Sequence, residues 1–304
     1  KAFAVLPGIA LLHNSKGVFM SKGKICLILS AFVYGILPVL AKLSYSGGAN
    51  SITLTFLRAA MTLPVLFFLL KAEKKSLKLT KRQLIQVIIL GVFGGALPII
   101  LLYISYDFIP AGLATTLHFI YPLVIVFADA LLYHEKMSKL KLLAVVLVTI
   151  GIFMFADINM GGAHIGIAAA LLSGIFYSFF VIYIDRSGLG DMDYIKLTFY
   201  MLLIMSAATL SFGVVVHGIN FDMSARSWWM ALIISALSTL IALPLFQGGV
   251  RYEGASTAGI MSAFEPVTSI AAGALFLGEY VGLMQIFGAA IIILGIGLVE
   301  YERG

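Results

Sequence analysis

The chain has 304 residues, 61% of them hydrophobic and 11% charged, with a mean hydropathy of +1.07 and a formal net charge of +6. A soluble protein of this length does not bury so much apolar surface. The long apolar runs are also continuous, without the alternation of a porin-like barrel, so the composition points to transmembrane helices. The positive charges lie between the runs, as membrane topology requires, which argues against a nucleic-acid partner, and the lone Cys26 excludes an internal disulfide or a cysteine metal cluster.

Residues 1–19 stand apart. Ala2–Leu12 is apolar but interrupted by Pro7 and Gly8, too short to span, and has neither a basic leader nor a small-residue cleavage site. Met20 makes a more natural start, and residues 1–19 are read as an N-terminal extension, either translated leader sequence or an ordinary tail. From there ten apolar spans follow, at about 25–45, 52–70, 84–106, 111–132, 139–156, 165–184, 194–217, 228–250, 255–277 and 282–300. With Met20 in the cytoplasm, the inner loops carry fifteen Lys and Arg, including the cluster from Lys71 to Arg82, against only Lys42 and Arg226 outside. This bias places both termini in the cytoplasm and agrees with an even number of spans.

The chain repeats itself. Residues 111–152 align without gaps on 255–296, pairing Pro122 with Pro266, Glu135 with Glu279 and Gly151 with Gly295. At an offset of 143, Ser30 and Tyr34 match Ser173 and Tyr177, and Thr55-Phe56 matches Thr198-Phe199. Two five-span halves result, residues 20–157 and 158–304. An odd span count per half makes the second enter the membrane inverted, the architecture of alternating-access carriers with a midplane site. The expected fold is therefore an all-α polytopic membrane protein of ten transmembrane helices in two inverted five-helix repeats.

These features resemble the drug/metabolite transporter superfamily, EamA-type branch. The resemblance rests on Ser30–Gly35 and Ser173–Ser178, on Arg58, and on the paired signatures Pro110–Glu135 and Gly254–Glu279. It implies a ten-helix inner-membrane carrier of small metabolites or drugs, most often an exporter, and leaves the substrate open among amino acids, amines, nucleosides and xenobiotics.

The residues themselves point to the centre of the fourth and ninth spans. Glu265 is a carboxylate in mid-bilayer beside Pro266, where a charged group marks a pathway or binding site by default. It can bind a cationic group or cycle a proton; alternatively, it hydrogen-bonds unwound backbone. His118 shares a helical face with Tyr121, and Ser262 with Glu265, so these four with Tyr34 and Tyr177 form the candidate substrate site. His118 can share a proton with Glu265 or be satisfied by a neighbouring helix. The tyrosine rings can hold an ammonium group or simply pack. Pro122 and Pro266 are the expected hinges, with Pro38, Pro98 and Pro244 as further bending points, and Tyr103 and Gln247 as weaker gate candidates. Arg58 reads as a structural residue near the outer end of its span, snorkelling to headgroups. Asp107 and Asp129 read as solvated end-of-span residues, Glu135 and Glu279 as local caps or pairs, and the Gly91, Gly94, Gly95 group and the pair Gly295 and Gly297 as close helix packing.

The sequence holds no Walker loop, no His-Glu-x-x-His or cysteine-pair metal site and no serine nucleophile elbow, so no enzyme, cofactor or metal is expected. The implied partners are a small-molecule substrate, the lipid bilayer and protons as coupling ion. A passive channel, predicting flux that does not saturate, and a non-transporting scaffold or receptor are the competing readings.

Overall fold

The computed structural model describes residues 21–105, 108–109, 111–134, 138–154, 164–278 and 282–301. The readings of residues 1–19, Asp107, Glu135 and Glu279 lie outside these residues.

Among the described residues there is no strand, and each predicted span is helical. Span one is α1 (Lys22–Tyr45), started by the Ser21 side chain accepting from the Lys24 backbone N–H at 3.2 Å. Span two is split into α2 (Ser51–Ala60) and α3 (Leu63–Ala72), with Pro64 in the first turn of α3. Span three runs through α4 (Lys81–Ile89), a π-turn (Leu90–Ala96) and α5 (Leu97–Ser105). Span four is α6 (Ala111–His118) and α7 (Tyr121–Leu132), and span five is α8 (Lys139–Phe153). The second half repeats the plan. It comprises α9 (His164–Arg186), α10 (Tyr194–Val215), α11 (Ala225–Ala236), a π-turn (Leu237–Ala242), α12 (Leu243–Glu253), α13 (Ala255–Met261), α14 (Phe264–Leu277) and α15 (Leu283–Tyr301).

Proline chemistry explains the irregularities. A proline offers no N–H to the preceding turn, and its ring clashes with the carbonyl four residues back. Before Pro98 and Pro244 the helix relieves this by widening, with Leu97 N–H reaching the Val92 carbonyl and Leu243 N–H that of Ser238, five residues back. Ahead of Pro122 and Pro266 it tightens and breaks instead. Ile120 N–H reaches Leu117 O at 3.2 Å and Glu265 N–H reaches Ser262 O at 2.9 Å, three residues back in both cases. Both mid-span interruptions expected from the sequence are thus present. Pro38, by contrast, lies inside an uninterrupted α1.

The packing between helices obeys an exchange rule. α1 packs on α12 and α14, while its counterpart α9 packs on α5, α6 and α7; α2 meets α10, and α8 meets α15. At the last contact, a Cβ on Gly151 would lie 2.7 Å from Gly288 O, and one on Gly295 would lie 3.0 Å from Ala144 O. Gly295 and Gly288 are 144 residues beyond Gly151 and Ala144. The contact is therefore reciprocal, as a two-fold relation between the halves demands. Gly151→Ala forces backbone apart there and is expected to cost about 1–3 kcal/mol. Gly297, expected with Gly295 to serve close packing, instead has nothing within 4 Å of an added Cβ and is the control. Thermal unfolding in detergent should rank Gly151→Ala well below Gly297→Ala and wild type.

The outer surface carries large apolar side chains such as Leu275 at 80% exposure, Leu131 at 70% and Phe276 at 70%. In water such a surface would aggregate; here it faces acyl chains. Seven of the described helical rods are long and apolar enough to cross a membrane by length and composition.

Candidate functional site

The two broken spans and the first span of each half meet at the centre. Gly174 of α9 approaches the break before α7 so closely that a Cβ would lie 2.4 Å from His118 O. Ser178 donates to Tyr121 O at 3.2 Å. Across the pseudo-axis the equivalent place on α1 is Gly35, whose added Cβ would lie 2.7 Å from Glu265 O. Small residues on α1 and α9 thus let both helices pack directly against the backbone of the two breaks, with Ser178 adding a hydrogen bond on one side.

A cavity of about 260 Å³ opens from this centre between α1, α2, α5, α6 and α14. Tyr34, Arg58, Tyr103, His118 and Glu265 line it, and it reaches Lys42 and Tyr45 at the end of α1. A second lobe, about 100 Å³, shares Tyr34, Arg58, His118 and Glu265 and adds Tyr121 and Tyr177. Five of the six expected substrate-site residues therefore line one connected space.

Ser262 does not line the space. It is 4% exposed and donates to Ala258 O at 2.8 Å. Of the expected gates, Tyr103 lines the cavity and Gln247 does not. Gln247 is buried between α10 and α12, where its Oε1 accepts from Thr198 Oγ1 at 3.2 Å. Pro122 and Pro266 follow the two helix breaks.

His118 is held in one orientation. Its Nδ1 lies 2.7 Å from Ser173 Oγ, which itself lies 2.7 Å from Ala170 O. A carbonyl only accepts, so the single serine proton points there and Nδ1–H donates to the serine. A neutral ring then keeps Nε2 as an acceptor. Its ring packs 5.2 Å from Tyr177 and 5.6 Å from Tyr121, centroid to centroid, and those two tyrosines stack edge-on at 4.8 Å. Phe180 and Phe246 extend this aromatic floor.

Arg58 departs from the sequence reading. It does not snorkel to the surface but enters the cavity, where it lines the same wall as Tyr34 and Tyr103 and its guanidinium sits 5.7 Å from the Tyr34 ring centroid. Glu265 stands on α14, in the other half of the molecule. The two charges influence one another, yet among the described residues no ion pair of 4.0 Å or less joins them. Arg58 and Glu265 thus face one space from the two halves of the molecule.

Asp129 also departs from expectation. It is 2% exposed and paired with Arg186 at 3.2 Å, because the end of α7 packs on α9 rather than on solvent. The Arg186 guanidinium lies 4.6 Å from the Tyr133 ring centroid and 3.3 Å from Asp185. On the same side Ser21 hydrogen-bonds Glu253, and Arg251 meets Asp191 at 3.5 Å. Lys75, between Glu73 and Asp193, loses some hydration by burial but is held protonated above its usual range by these two carboxylates.

The model of the EamA-like transporter family matches the chain twice, over residues 21–156 and 164–301. The chain belongs to the EamA-like transporter family. It is 31% identical over 215 residues to an uncharacterized transporter of Synechocystis, a match spanning 67% of this chain and 63% of that protein. Over 297 residues, 92% of this chain and 93% of the relative, it is 26% identical to the uncharacterized transporter YcbK of Bacillus subtilis. The threonine/homoserine exporter RhtA of Escherichia coli K12 is 22% identical over 283 residues, 88% of each chain. A solved crystal structure superposes with a TM-score of 0.78 over 92% of this chain and 97% of that one, at 15% identity, which speaks for the fold alone. Like other EamA-like proteins, this chain is a multi-pass membrane transporter and not an enzyme.

Proposed function

We propose that this EamA-like transporter is a secondary carrier that exports a small, amine-bearing zwitterion, of the size and charge pattern of an amino acid, by alternating access. The observation that carries the reading is the unpaired juxtaposition of Arg58 and Glu265 across one cavity. A guanidinium suits a carboxylate in a bidentate pair. A carboxylate ringed by Tyr34, Tyr121 and Tyr177 suits an ammonium group, through charge and cation–π attraction. Without cargo, both protein charges would remain half-desolvated and unpaired, so a ligand bearing the complementary pair relieves two costs at once. The name of the RhtA relative is in keeping with this class and with export.

Under the positive-inside orientation, both termini are cytoplasmic and the cavity mouth beside Lys42 and Tyr45 faces outward. The aromatic floor and the Asp129–Arg186 and Ser21–Glu253 contacts then close the cytoplasmic side, and must part when the halves rock. Pro122 and Pro266 serve as the hinges, and Glu265 is the group through which protons couple.

The test is counterflow in proteoliposomes. Labelled amino acid should accumulate transiently against an internal unlabelled pool, saturate with concentration, and respond to an imposed pH gradient. Linear flux without counterflow would leave a passive channel as the remaining transport mode.

A further inference from the structure

The inner lobe has a chemistry of its own. Beyond the charged residues it shares with the outer cavity, it is walled by Phe180, Met201, Met205 and Leu243, and floored by Gly94 and Gly95 of the first π-turn and Ser238 and Thr239 of the second. The two hydroxyls are turned to one another at 3.4 Å and to backbone carbonyls, Ser238 to Ser235 O at 3.4 Å and Thr239 to Arg58 O at 3.5 Å. The lobe therefore presents an apolar lining. The π-turns widen two helices at related places in the two halves, so the lobe exists because Pro98 and Pro244 each force a wide turn just before them.

The three glycines of the first π-turn are not equivalent. A Cβ on Gly91 would meet Ile204 Cβ at 2.6 Å, and one on Gly94 would meet Phe180 Cβ at 3.0 Å, so both are needed for helix contact. A Cβ on Gly95 finds nothing nearer than Met205 at 3.6 Å, an ordinary contact. Packing does not require a glycine there, and a methyl at Gly95 would occupy space at the lobe's wall beside Met205.

We propose that this π-turn lobe is the pocket that selects the cargo's side chain, admitting a short aliphatic substituent, and that Gly95 sets its depth. The proposal rests on the assignment of the cargo's carboxylate to Arg58 and its ammonium to Glu265, and places the substituent in the lobe that both residues border rather than in the outer cavity they also line. Apolar pockets discriminate by size in steps of about one methylene, each worth roughly tenfold or more.

The experiment uses the full chain in proteoliposomes, with L-alanine, L-2-aminobutyrate, L-norvaline and L-norleucine competing in counterflow. Gly95→Ala should shift the preferred chain length shorter by about one methylene, with a loss of about tenfold for the longest chains relative to alanine. Leu243→Val, which enlarges the same lobe, should shift it longer. Opposite shifts support the pocket, whereas a defect that is merely structural would weaken all four amino acids alike. An unchanged chain-length profile in both variants, with wild-type competition intact, overturns the pocket and leaves the head-group assignment standing. If no member of the series competes in wild type, the head-group assignment itself falls, and the pocket with it.

Discussion

Glu265→Gln is expected to abolish transport, or strip it of its pH dependence, while the folded protein accumulates normally. Glutamine keeps the shape of the side chain and its place beside Pro266, so α14 has no reason to unfold. What disappears is the negative charge facing Arg58 and the tyrosines. A hydrogen bond to a charged partner contributes about 1.5–3 kcal/mol, so apparent affinity for an amine-bearing cargo should fall roughly 10- to 100-fold. A cargo analogue lacking the amine should be indifferent to the change. Because glutamine cannot take up a proton, flux measured between pH 5.5 and 8.5 should lose its slope. Wild-type flux with a wild-type pH profile in this variant would remove Glu265 from both roles.

Arg58→Lys is the second large effect. A lysine preserves the charge, and if Arg58 acted only by reaching headgroups it would substitute freely. In the cavity it cannot, since one ammonium does not reproduce the planar fork that packs by Tyr34 and, under the proposed function, grips a carboxylate. The expected loss is at least tenfold in apparent affinity for a cargo with a free carboxylate. An amidated analogue should bind wild type and Arg58→Lys about equally, so the two substitutions, protein and ligand, should not be additive. Additive losses, or full activity of the lysine variant, would return Arg58 to a structural role.

The parts of this arrangement legible in the sequence were those where a single residue violates its surroundings. A histidine, a glutamate and two prolines in apolar runs have few reasons to be there, and the structure places the breaks beside Pro122 and Pro266 and the side chains of His118 and Glu265 on one cavity. Arg58 was misread because hydropathy is one-dimensional. It lies seven residues into α2, about 10 Å at 1.5 Å per residue, which looks near enough to headgroups. A cavity running to Lys42 and Tyr45 at the end of α1 reaches Arg58 from inside the bundle, which no span-by-span profile contains. Asp129 was misread for the opposite reason: the end of its helix is covered by α9. The glycines of the first π-turn show a subtler limit. Close packing accounts for Gly91 and Gly94, but only the neighbouring coordinates separate Gly95 from them.

The fold treats its halves as interchangeable, and the reciprocal Gly151 and Gly295 contacts show how closely the backbone honours that. The chemistry does not. His118 stands where the other half has Ser262, and Tyr121 where it has Glu265. In a carrier whose inward- and outward-facing forms arise by swapping the conformations of two such halves, identical halves would make the two forms equal in energy. Here the imidazole rides on one half and the carboxylate on the other. Under the alternating-access mechanism proposed above, these four side chains are among the differences that set a resting preference for one mouth, and exchanging them between the halves should shift it.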